Sequence, residues 1–238
     1  MRAQSVVEFH VRPVRLEDIA AVVDAHVRIH PPQDFTLPAM GRGVLAAHYR
    51  TAVATEGVYP LMLVRAPGGE CVGTLIWTTN GPGFVREFVR RHWRLLAWSM
   101  LVRGWRSRRI REKAGIFLRT RLARRAVAPS GGGSGVIMGD AGVPVRTPAR
   151  SLTWGVVPEI RNTLGILFLH DYFIAQAHAM GIEWVGGTVD ADNAPQQQFL
   201  KALGYTLGPN AHGNLASWGH VPTMARKARF KPETVAMA

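Results

Sequence analysis

The sequence predicts an α/β fold, a sheet with helices on its faces, and three observations carry that prediction. Between Ser151 and Asp190 the chain reads as a strand, a polar turn, a helix and a second strand in succession. Over residues 9–78 it reads as a strand, two helices and a hairpin. The 238 residues, 47% of them hydrophobic, suffice for a full core. They fit one domain with an insertion, or two small ones. The reading adopted is a single domain over residues 1–238, with a basic helical insertion at 84–125 and a Gly/Pro-rich linker at 126–150.

Taken in order, Phe9 to Val14 is the first expected strand, and Leu16-Glu17-Asp18 opens a helix with Ile19, Val22, Val23 and Val27 on one face. His30-Pro31-Pro32-Gln33-Asp34-Phe35 breaks it, and a second helix is expected from Leu37 to Arg50. Tyr59–Arg65 and Cys71–Thr78 predict a hairpin, joined across Ala66-Pro67-Gly68-Gly69-Glu70 and ended by Gly81-Pro82-Gly83. The single cysteine, Cys71, excludes an intramolecular disulfide and favours a reducing compartment. Met1–Glu8 is short and mixed in character, so no signal peptide is expected, and the protein is read as cytoplasmic, with a peripheral place on the inner face of the membrane as the variant.

Residues 84–125 stand apart. Thirteen arginines and Lys113 face only Glu87 and Glu112, so this segment carries +12 of the chain's formal +13. Its apolar residues recur helically, at Phe84, Phe88, Leu95 and Leu96 and then Trp98, Leu101, Val102 and Trp105. The longest apolar run, Leu95–Val102, is far shorter than the roughly 20 residues that span a bilayer. Three readings compete: a basic amphipathic helix on an anionic membrane surface, a docking site for an acidic partner such as an acyl carrier protein, or a helical insertion packed on its own domain with solvated arginines. Nucleic acid is not expected, because no recognised nucleic-acid motif accompanies the charge. Residues 126–150, with Pro129-Ser130-Gly131-Gly132-Gly133-Ser134-Gly135, read as a flexible linker or loop.

The C-terminal third is the most informative. Ser151 to Val157 is β-branched and apolar, and Pro158 stops it, having no N–H for a ladder. After the turn Glu159–Gly165, Ile166 to Met180 has a helical period with Ile166, Leu169, Phe173, Ile174 and Ala177, closed by Gly181. Glu183–Asp190 is the next strand, parallel to the first because a helix connects them. Asp192 or Asn193 caps a helix carrying Phe199, Leu200 and Leu203 ahead of Gly204. A short strand is expected around Leu215–Val221, and a polar, basic tail from Met224. The turn before the long helix is a candidate pyrophosphate seat, since a helix start presents unpaired N–H groups and a positive dipole end, and Arg161 can fork onto phosphate oxygens. The competing reading is an ordinary turn with a solvated Arg161.

The string Val156-Val157-Pro158-Glu159-Ile160-Arg161-Asn162-Thr163-Leu164-Gly165, followed by a helix, Gly181, a strand, Thr188-Val189-Asp190-Ala191-Asp192-Asn193 and Leu203-Gly204-Tyr205, resembles the GCN5-related N-acetyltransferase (GNAT) family. The likeness covers the C-terminal third firmly and residues 9–80 loosely. The insertion resembles a subgroup with an arginine-rich helical segment between the third and fourth strands. The resemblance implies a GNAT-like mixed central sheet flanked by helices and acyl transfer from acetyl-CoA to an amine of a small molecule. It implies a CoA site at Val156, Val157, Arg161, Asn162, Thr163, Leu164, Gly165, Ile166 and Asn193, with the backbone N–H near Val156 facing the thioester oxygen. The connection between the first two helices would line the acceptor pocket, which points to His26, His30, Asp34 and Phe35.

Two departures from the family pattern are visible. The loop Arg161–Ile166 has one glycine where the family has several, and Leu200 stands seven residues after Asn193, where the family often has a tyrosine that protonates the departing thiolate. Asp190, at a strand end, is the candidate general base, with water as the alternative; Glu159 is expected to point to solvent. His26 and His30 are i,i+4 with no third ligand near, so no metal is expected. The alternatives to acetyl transfer from CoA are a longer or carrier-bound acyl donor, or a degenerate fold without catalysis that serves as a membrane-surface or protein-binding module.

Overall fold

The computed structural model describes residues 8–33, 35–104, 111, 136–138, 144–146, 149–161, 164–209 and 215–228. In order they form β1 (Phe9–Pro13), α1 (Ile19–Ile29), α2 (Thr36–Ala39), α3 (Arg42–Ala54), β2 (Val58–Arg65), β3 (Glu70–Thr78), α4 (Gly81–Arg103), β4 (Val136–Met138), β5 (Pro144–Arg146) and β6 (Ala149–Val156). There follow α5 (Gly165–Ala179), β7 (Trp184–Val189), α6 (Ala194–Ala202), β8 (Thr206–Pro209), β9 (Leu215–His220) and α7 (Val221–Lys227). Seven strands make one sheet in the order β1-β2-β3-β6-β7-β9-β8, mixed because β6 and β7 are parallel and every other pair is antiparallel. Strands β4 and β5 form a separate two-stranded sheet.

Adjacent strand residues point to opposite faces, and two glycines show what covers each. A Cβ on Gly155 would run into Ile29 at the end of α1, whereas one on Gly73 would press on Leu169 of α5. The sheet is therefore a layer between α1 and α5. The core lies on both sides of β3, with Trp77 fully buried, stacked on Tyr59 at 4.2 Å and donating from Nε1 to Gln176 at 3.2 Å.

Four expectations are corrected. The single helix from Leu37 to Arg50 is two, α2 and α3, broken at Gly41, whose φ of 99° favours glycine and whose missing side chain leaves space filled by the Arg103 guanidinium of α4. Gly81-Pro82-Gly83 does not merely end the hairpin. The Asn80 side chain accepts from Gly83 N at 3.1 Å, Pro82 sits in the first turn where no N–H is needed, and α4 starts there. The stretch 126–150 is not linker throughout, since β4, β5 and the first residues of β6 lie in it, β4 and β5 pairing as Val136↔Arg146, Ile137↔Val145 and Met138↔Pro144. The tail from Met224 begins inside α7, with Met224 buried. Among the described residues no helix is long and apolar enough to cross a membrane.

Candidate active site

Strand β6 has one closed edge and one open one. It pairs with β3 from Arg150 to Val156, and the ladder carries on as Val157 N–H donates to the Val72 carbonyl at 2.8 Å. Against β7 only Ala149↔Val185 and Arg150↔Gly186 pair. The reason lies just beyond: the register with β3 shifts between Ile76 and Trp77, leaving Leu152 as an extra residue on β6. A bulge bends and twists its strand, and here it turns β6 away from β7. Backbone alternation does the rest. Because Val157 N–H points to β3, the N–H groups of Val156 and Trp154 point to the opposite edge, into the seam that β7 has vacated.

A cavity of about 820 Å³ occupies this seam. One wall is the end of α1 and the loop after it, with His26, His30 and Phe35; the other is Asp190, Asn193, Gln196 and Phe199, with Trp154 and Val156 between them and Arg161 and Ile166 at the α5 end. The α1 wall is a cluster of imidazoles. His26 Nδ1 lies 2.8 Å from the Tyr49 hydroxyl, His30 Nε2 lies 3.2 Å from Thr153 Oγ1, and the two rings stand 4.8 Å apart. Burial pushes all three cavity histidines down, His26 to about 2 with help from His30 and His48, His30 to about 4 with help from Arg161, and His48 to about 4. The wall is therefore uncharged at neutral pH, a surface of hydrogen-bonding groups without cations. Among the described residues lining the cavity, Asp190 is the carboxylate, and it is exposed at the rim.

The chemistry open to such a site is limited by what it presents: a backbone N–H aimed at one point, a helix start with an arginine beside it, neutral imidazoles opposite, and aromatic surface at Trp154, Phe199 and Phe35. A fixed N–H stabilises negative charge developing on a carbonyl oxygen without reorganising at the moment of reaction.

No protein-family model and no curated protein matches the chain. Solved structures do. SsHAT superposes with a TM-score of 0.56 at 20% identity, over 90% of this chain and 98% of that one. A spermidine N-acetyltransferase SpeG chimera from Vibrio cholerae and hSSAT gives 0.52 at 6% identity, over 91% and 97%. An acetyltransferase from Thermus thermophilus gives 0.50 at 11%, over 90% and 96%. The fold is that of the GNAT acetyltransferases.

Against the GNAT pattern read from the sequence, the structure brings together Val156, Arg161, Ile166, Asp190, Asn193, His26, His30 and Phe35 around one cavity. Val157 is corrected: it is fully buried and its N–H is spent on β3, so it does not face the seam. Asn193 lines the cavity but its side chain is committed to α6, accepting from Gln196 N at 3.1 Å and donating to Gln196 Oε1 at 3.0 Å. Arg161 turns back to the end of α1, 3.4 Å from the Ile29 carbonyl, a weak contact at a negative dipole end. Leu164 is exposed at the cap of α5 and Gly165 is buried; neither lines the cavity. Asp34, Asn162 and Thr163 lie outside the described residues. Leu200 is buried and offers no proton. Sequence reasoning missed Trp154, Phe199, His48 and Thr153; the first two were visible as aromatics on elements already assigned, but nothing local marks a tryptophan as facing a seam instead of a core.

Proposed function

We propose that the protein is an N-acyltransferase that moves an acetyl group from acetyl-CoA to an amine of a small molecule in the seam between β6 and β7. The observation that carries this is the open edge of β6, where Val156 N–H faces a cavity of about 820 Å³ that runs to the start of α5. A strand edge with unused backbone groups suits an extended amide-bearing arm such as pantetheine, and the helix start with Arg161 suits a pyrophosphate. Acetyl-CoA, when bound, supplies the activated acyl group. Val156 N–H receives the charge that builds on its carbonyl oxygen. Arg161 leaves the Ile29 carbonyl for the phosphates. Asp190, at the rim, takes a proton from the acceptor amine, directly or through water.

The acceptor enters from the α1 side, past His26, His30 and Phe35. The proton that a departing thiolate needs has no donor at Leu200, so it comes from solvent or from the protonated amine.

Calorimetric titration with acetyl-CoA, followed by thiol release in the presence of a panel of amines, tests the reading. Binding that is lost on Val156→Pro, with the fold retained, is expected. No binding of acetyl-CoA or CoA ends it. Binding without turnover for any amine favours a degenerate fold, the reading that Leu200 and the loop with a single glycine support.

A further inference from the structure

Helix α4 has an inner face that supports the cavity and an outer face that nothing among the described residues covers. On the inner face Phe84 and Phe88 are buried, Leu95 and Leu96 pack with Leu37, Met40, Val44 and Ala47, and Ser99 Oγ donates to the Met40 carbonyl at 2.5 Å. On the outer face Val85, Val89 and Trp93, at i, i+4 and i+8, are 54%, 47% and 58% exposed. One position on, Arg86, Arg90 and Arg94 repeat the same spacing and are also exposed. Residues four apart on a helix stack into a ridge, so an apolar ridge runs beside a cationic one. The Arg94 guanidinium lies 5.4 Å from the Trp93 ring, tying the two together. Past the break at His92, Trp98 and Leu101 are 65% and 61% exposed. Glu87 engages Arg90 and Arg91, while Arg86 and Arg94 have no carboxylate partner among the described residues.

From these features we infer that the outer face of α4 docks on an anionic lipid bilayer. Scattered exposed apolar residues are ordinary, but a ridge of Val85, Val89 and Trp93, with Trp98 and Leu101 exposed on the turns beyond the break, marks a surface that something covers. Charge names the occupant. Within α4, Arg86, Arg90, Arg91, Arg94 and Arg103 stand against Glu87 alone, so the covering surface is negative, and it also takes apolar side chains. A bilayer interface does both at once: phosphates meet the guanidinium groups, and valine and tryptophan side chains enter the boundary with the acyl chains. An acidic protein surface would satisfy the arginines and leave the apolar ridge without a counterpart. The inner face of α4 packs against α2 and the start of α3, and Leu37 and Pro38 of α2 line the cavity, so docking holds the acceptor wall close to the lipid surface. This inference stands on α4 alone and does not depend on acyl transfer.

The test is co-sedimentation of the full chain with phosphatidylcholine vesicles, with and without phosphatidylglycerol, at low and near-physiological salt. Binding is expected only with phosphatidylglycerol, falling steeply with salt. Tryptophan emission should move to the blue on binding, and Trp93→Phe with Trp98→Phe should remove most of that shift. Arg86→Gln, Arg90→Gln and Arg94→Gln together should weaken partitioning on the order of a hundredfold, about fivefold for each. Val89→Ser with Trp93→Ser should weaken it about tenfold. All these side chains are exposed, so thermal melts should stay unchanged and separate lost docking from lost folding. The inference is overturned if the phosphatidylglycerol vesicles do not bind, or if binding survives both sets of substitutions. Saturable binding of an acidic acyl carrier protein without vesicle binding also overturns it, and assigns the face to a protein.

Discussion

The two edges of β6 have different fates, although they belong to the same eight residues. Toward β3 the ladder runs nearly its whole length, and every residue of β3 from Cys71 to Thr78 beside it is buried. Toward β7 it stops after two pairs, and a cavity takes the place of a strand. The closed edge is held by burial and backbone bonds; the open edge leaves the N–H groups of Trp154 and Val156 facing a cavity. A single extra residue, Leu152, separates these outcomes. Substitutions on the closed side should therefore register as stability, and substitutions on the open side as binding.

Acid is expected to have the largest effect, and to act on the open side. His26, His30 and His48 have folded pKa values below the ordinary 6.5, so they are neutral when folded and take up protons on unfolding. Their contribution to stability is complete above pH 6.5 and is lost as pH falls toward 4, at about 1.4 kcal/mol per pH unit for each. Urea midpoints measured from pH 7.5 down to 4.5 should show this slope, and His48→Gln should remove about a third of it. A flat profile would mean that the imidazoles are reached by water.

Trp77→Ala, on the closed side, should destabilise the protein by about 3–5 kcal/mol in chemical denaturation. Trp154→Ala, on the open side and half-buried, should cost about half as much stability while raising KM for the acceptor; equal stability losses with unchanged kinetics would erase the distinction between the edges.

Arg161→Ala should weaken CoA binding by roughly 1.5–3 kcal/mol, the range for a charge-assisted hydrogen bond, with the melting temperature unchanged. An unaltered dissociation constant would leave Arg161 as no more than a cap on α1.

The smallest effect sharpens the assignment of Asn193. Its side chain is used up in capping α6, so Asn193→Ala should cost about 1 kcal/mol of stability and leave CoA affinity untouched. A large loss of affinity with no loss of stability would return it to the donor site.

Much of this was legible in the residues themselves. The run from Ser151 to Val157, the period of Ile166–Ala177, the cap at Asn193 and the hairpin around Gly68-Gly69 are local patterns, and local backbone preference together with the spacing of apolar side chains determines such elements wherever they sit. The excess charge of residues 84–125 is likewise plain in one dimension. What only the tertiary structure decided are contacts between residues far apart in the chain. Gly41 breaks a helix over a space that Arg103 fills, and no signal near Gly41 announces that arginine. The three histidines become a neutral wall only when α1 and α3 bury them together, since desolvation, not sequence spacing, shifts a pKa. The seam itself depends on a register shift between two strands separated by the whole insertion. Whether a strand edge closes or stays open is a property of its neighbours' geometry, and the strand's own sequence is the same in either case.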